Sequence, residues 1–141
     1  MKDGKIVSFI DLKVWQEAHK LRMNILKQIT NFPQEYRFGL CAQLQRSAIS
    51  VGSNIAEGFG RQGKKEKLQF YNIASGSLTE VQDQLIICRD LQLIDGVTFK
   101  ELAEQTVTVH KLLRGLMKSL RADLPATSYK LPTTARSETD G

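Results

Sequence analysis

An all-α fold, specifically an antiparallel four-helix bundle, is what this chain of 141 residues predicts, and three observations carry that expectation. Apolar residues recur at every third and fourth position along four successive stretches, the pattern of a helix that buries one face. Turn signals fall between the stretches: Asn31-Phe32-Pro33, the glycines Gly58, Gly60 and Gly63, and Asp95-Gly96. The connections are short, which favours antiparallel neighbours. A chain of this length buries roughly two-thirds of its unfolded surface, enough for one domain held without a metal or a disulfide framework.

The first helix is expected from Asp11 to Asn31, with Val14, Trp15, Ala18, Leu21, Ile25, Leu26 and Ile29 on its inner face and Asp11 as N-cap. The second begins near Gly39 and carries Leu40, Leu44, Ala48, Val51 and Ile55 before the glycines end it. The third runs from about Lys64 to Leu93, its stripe being Leu68, Tyr71, Ala74, Leu78, Val81, Leu85 and Cys88. Gly76 interrupts it, and glycine inside a helix costs about 1 kcal/mol against alanine, so a close crossing with a neighbour is expected there. For the fourth, Thr98 and Glu101 have the spacing of a capping box, followed by Leu102, Val109, Leu112, Leu113, Leu116 and Leu120. Thr106-Val107-Thr108-Val109 alternates like a strand, but its flanks keep helical spacing. The organisation is thus an extension over 1–10, a bundle over 11–121, and a tail over 122–141 whose prolines and few large apolar groups predict disorder.

Charge is unevenly placed. The chain holds 20 Lys plus Arg against 15 Asp plus Glu. Between Glu80 and Glu104, however, Glu80, Asp83, Asp90, Asp95, Glu101 and Glu104 outnumber Arg89 and Lys100, so the rest of the chain is more basic than the net value implies. Two cationic groups stand out. Arg61, Lys64, Lys65 and Lys67 surround the start of the third helix, where unbonded amides and the positive dipole end suit phosphate oxygens. Lys111, Arg114, Lys118 and Arg121 recur at three, four and three, within about 80° of the fourth helix. Each group is a candidate contact for a nucleic-acid backbone, although on the fourth helix the solvated side of an amphipathic helix is the favoured reading, because cations suit a helix C-terminus.

Other chemistry finds little support. Gly58-Phe59-Gly60-Arg61-Gln62-Gly63 matches G-x-G-x-x-G, yet a helix rather than a strand feeds it, and Lys65 stands where a phosphate loop needs a hydroxyl. His19 and His110 lack di-iron spacing, and Cys41 and Cys88 have neither metal-ligand spacing nor an activating histidine motif. No enzyme activity and no cofactor are expected. The two cysteines read as free thiols in a reducing compartment. The longest apolar run, Leu85 to Cys88, is far shorter than a membrane span, and no apolar leader follows the N-terminus, so a cytoplasmic protein is expected. Arg46, Asn54, Glu57 and Glu80 are candidates for a structural polar network between the second and third helices.

The motifs together resemble the 23S rRNA intervening-sequence proteins, small bacterial four-helix bundles. Asp11-Leu12-Lys13-Val14-Trp15, Phe32-Pro33-Gln34-Glu35, Gln43-Leu44-Gln45-Arg46, Ser53-Asn54-Ile55-Ala56-Glu57-Gly58 and Ala74-Ser75-Gly76-Ser77-Leu78-Thr79-Glu80 carry the resemblance over about residues 9 to 120. Gly52 stands where the family often has proline, and Tyr36 where a second acid is common. The resemblance implies a homo-oligomer, a ring of five bundles, without enzymatic activity. A similar group of accessory subunits of reverse transcriptases implies nucleic-acid binding by analogy. The alternative is a protein-interaction scaffold or accessory subunit with no direct nucleic-acid role, its acidic region meeting basic surfaces.

Overall fold

The computed structural model describes residues 4–125. Its four helices are α1 (Lys13–Ile29), α2 (Ala42–Phe59), α3 (Lys64–Asp90) and α4 (Gly96–Ala122). Each packs against its chain neighbours, and α4 closes the bundle against α1. Cross-helix hydrogen bonds set the directions. Ser47 meets Gln84 while Ser50 meets Ser77, so α2 and α3 run oppositely. Gln82–Thr106 and Ser75–His110 do the same for α3 and α4. The expected stripes form the core: Leu21, Ile25, Leu44, Val51, Ile55, Leu78, Val81, Leu85, Val109 and Leu113 are all buried. Thr106 to Val109 lies within α4, as the flanking periodicity requires.

The helix ends differ from the sequence reading in instructive ways. Asp11 does not cap α1; the cap residue is Leu12, and the Asp11 carboxylate accepts from the amides of Val7 and Ser8 instead. Ser8 and Asp11 form a reciprocal box around a 3-10 turn at Phe9–Asp11, which brings Phe9 edge-on to Trp15 at 5.2 Å. Part of the expected N-terminal extension thereby joins the bundle. The cap of α4 is Asp95, whose carboxylate accepts from the Thr98 amide at 2.7 Å, so Thr98 lies inside the first turn and is not the cap. Between α1 and α2 the chain makes a 3-10 turn at Gln34–Tyr36 and one π-helical turn at Arg37–Cys41. At the other end of the chain α4 reaches Ala122, and Leu124 packs against the core. The rest of the expected tail lies outside the described residues.

Gly76 makes no close crossing: a Cβ there would meet nothing within 4 Å. Close approaches occur instead in α2: a Cβ at Gly58 would stand 2.7 Å from the ring of Tyr71, itself fully buried, and one at Gly52 would stand 2.6 Å from the Arg22 guanidinium. Burial also pushes the Tyr71 hydroxyl up to about 12.

Candidate nucleic-acid interface

Antiparallel packing brings the last turn of α2, the first of α3 and the last of α4 to one end of the bundle. The Lys64 ammonium donates to the Asp123 carboxylate at 2.7 Å, which places the glycine-rich turn directly beside the end of α4. By helix order the first basic group, Arg61 to Lys67, lies at the same end of the bundle as Lys118 and Arg121, with Arg114 and Lys111 further along α4. The acids Asp83, Asp90, Asp95, Glu101 and Glu104 occupy the opposite portions of α3 and α4, so charge separates along the bundle axis.

Within the two basic groups the structure sorts the cations by what they already hold. Arg61 donates to the Glu57 carboxylate at 2.6 Å, and its guanidinium lies 4.6 Å from the centre of the Phe70 ring. Lys67 donates to the carbonyl oxygens of Phe59 at 2.6 Å and Gly58 at 3.4 Å, closing the C-terminus of α2 where carbonyls lack helical partners. Lys64 is paired with Asp123. Arg121 is only partly exposed, and its Nε is buried with no hydrogen-bond partner among the described residues. By contrast, Lys65, Lys111, Arg114 and Lys118 are exposed and have no acidic partner among the described residues. These four are the cations able to meet an anion without giving up a contact.

The start of α3 adds donors of its own. Gly63 is the N-cap and supplies no side chain, so the first-turn amides have no side-chain acceptor. Arg114 also acts inward. Burial, with the Arg114 charge next, holds His110 below its ordinary value, and His110 lies 3.5 Å from the Ser75 hydroxyl. His19 stacks on Trp15 at 4.9 Å and accepts at Nδ1 from Arg22. Both histidines are half-buried helix residues. Cys41 and Cys88 are free thiols, and burial pushes Cys88 up to about 11, which leaves it protonated and unreactive at neutral pH.

The expected polar network divides into separate contacts. Arg46 and Glu80 do meet, at 3.4 Å, but at the surface. Glu57 pairs with Arg61, not with them, and Asn54 bonds back to Ser50 one turn earlier. The buried polar contact is a different pair, Ser47 Oγ donating to Gln84 Oε1 at 2.6 Å. The signal for it was present: Ser77 and Gln84 are seven residues apart and fall within the apolar stripe of α3. A polar group at a core position needs a partner across the helix interface.

No group of three or more potential metal-ligating side chains occurs among the described residues, and no helix there is long and apolar enough to cross a membrane. Fold and surface together define a class, a four-helix bundle with a cationic end and one cationic helix face. The family model described as 23S rRNA-intervening sequence protein matches residues 10–115, and the chain belongs to that family. Among solved structures it resembles a protein of unknown function from the S23 ribosomal protein family of Bacteroides thetaiotaomicron. The TM-score is 0.68 at 22% identity, over 74% of this chain and 98% of the other. That likeness concerns the fold. No curated protein matches the sequence.

Proposed function

We propose that this chain is a non-enzymatic, self-associating bundle that binds the phosphate backbone of RNA or DNA with little sequence preference. The observation that carries the reading is the set Lys65, Lys111, Arg114 and Lys118, exposed and without acidic partners among the described residues. Cations spaced one turn apart along a helix meet phosphates rather than base edges, so they supply affinity and register without sequence information. Four neutralised phosphates give a plot of log affinity against log salt with a slope of about −3 to −4. Fluorescence anisotropy with a labelled 20-base-pair RNA or DNA duplex over a salt series measures that slope; a flat plot, or no binding at low salt, rejects the reading.

A second reading rests on the acidic portion around Asp83 to Glu104, which would suit a scaffold or accessory subunit for a basic protein. Under that reading the affinity for nucleic acid is absent, and the same anisotropy series separates the two.

A further inference from the structure

Gly115 stands on the outer face of α4, and neither packing nor backbone geometry accounts for a glycine there. It is exposed, and a Cβ built on it would meet nothing within 4 Å. Among the described glycines only Gly4 has a positive φ, so Gly115 keeps a conformation that any residue adopts. Glycine inside a helix is unfavourable relative to alanine, which leaves the position costly to the fold without a return from the fold. What surrounds it is charge. Residues three and four apart are neighbours on a helix surface, and Gly115 is four from Lys111 and three from Lys118. Arg114 is in turn three from Lys111 and four from Lys118. The four positions make a lozenge on α4 with an exposed cation at three corners and no side chain at the fourth.

A gap among long cationic side chains has a physical use. Lysine and arginine carry their charge at the end of flexible stems, so a phosphate held only at their tips stays away from the helix and in contact with water. Where one corner lacks a side chain, a sugar–phosphate chain settles against the helix backbone, gains dispersion contacts there, and excludes water from the surrounding ion pairs, which strengthens them. We infer that Gly115 is the point of closest approach between this protein and the nucleic-acid backbone, the seat around which Lys111, Arg114 and Lys118 close. The inference rests on the nucleic-acid reading above and names how the α4 face holds that ligand. Gly76 supplies the contrast. It too is exposed in open space within a helix, but its neighbours three and four residues away are Asn72, Ile73, Thr79 and Glu80, none of them cationic.

Anisotropy with the labelled duplex over the salt series, paired with thermal unfolding, tests this on the full chain, Gly115→Ala, Gly115→Leu and Gly76→Ala. Alanine at either position should raise the melting temperature, since each adds a methyl group in open space. Binding should separate the two positions. Gly115→Leu is expected to weaken affinity roughly tenfold or more and Gly115→Ala by less. No charge is removed, so the salt slope is kept, and Gly76→Ala binds as the unaltered chain does. Gly115→Leu binding as tightly as the unaltered chain, or Gly76→Ala weakening binding as much as Gly115→Ala, overturns the inference while leaving the proposed function intact. A lower melting temperature for Gly115→Ala overturns it as well, because the glycine would then serve the fold. An unaltered chain without salt-dependent binding overturns the nucleic-acid reading itself and this inference with it.

Discussion

Lys64 at the start of α3 and Asp123 just beyond α4 are joined by an ion pair of 2.7 Å, although 59 positions separate them in sequence. Both side chains are exposed enough for water and salt to screen them, so the pair contributes little stability. Its value is as a marker of position. It shows that the glycine-rich turn lies beside the C-terminal end of α4, which neither group's spacing reveals.

Lys67 and Lys65 lie two residues apart and have different tasks. Replacing Lys67 by Met removes the donor to the Phe59 and Gly58 carbonyls and should cost about 0.5–1.5 kcal/mol. Lys65→Met, at an exposed position without an ion-pair partner among the described residues, should change stability by less than about 0.5 kcal/mol. Urea denaturation of both variants makes the comparison; equal losses would mean that the carbonyl contacts do not form.

Gly76 and Gly58 respond oppositely to alanine. Gly76→Ala adds a methyl group in open space and should stabilise by about 1 kcal/mol. At Gly58 the same change drives a Cβ into the Tyr71 ring and should destabilise by about 1–3 kcal/mol. Thermal unfolding distinguishes them by the sign of the shift.

Ser47 and Gln84 form a buried pair that the bundle needs whole or not at all. Ser47→Ala strands the Gln84 carbonyl oxygen and should cost about 1–3 kcal/mol. Replacing both, as Ser47→Ala with Gln84→Leu, should recover much of that loss, because no buried polar group is then left unpaired. A double variant no more stable than Ser47→Ala would show that the pair is not the cause.

His110 makes stability depend on pH in a window that the carboxylates do not share. Burial and the Arg114 charge lower its pKa in the folded state, so the unfolded chain binds the proton more readily. Stability from this group is therefore complete above the ordinary value near 6.5 and falls as pH drops below it. Asp11, Glu17 and Asp95 are lowered by hydrogen bonds, and their contribution is lost only in the more acidic carboxylate range. Melting temperatures between pH 5 and 7.5, for the unaltered chain and for His110→Gln, should lose that slope in the variant.

Periodicity made the helices and their core legible, because Leu44, Leu78 or Val109 can satisfy a three-and-four spacing in only one way. It could not make the helix ends legible. Asp11, Asp95 and Thr98 are all good cap residues by type, and the choice among them depends on where the preceding turn directs the chain. Gly76 misled for a related reason: a small residue signals a close approach only if it faces a neighbour, and this one faces outward. At the candidate site the eight cations were visible as residues. What each already binds was not, because Glu57, Phe70, Asp123 and the Phe59 carbonyl come from other elements or other turns.

Under the proposed function nucleic acid is held by the cations that have no acidic partner among the described residues. Anisotropy with the same duplex over the same salt series tests this on two variants that each lose positive charge: Lys111→Gln/Arg114→Gln/Lys118→Gln, and Arg61→Gln/Lys67→Gln. The first set should weaken binding by roughly 100-fold or more and flatten the salt slope by about 3, while the second leaves the slope largely unchanged. Equal losses from both sets, or a larger loss from Arg61→Gln/Lys67→Gln in a folded protein, would contradict the claim.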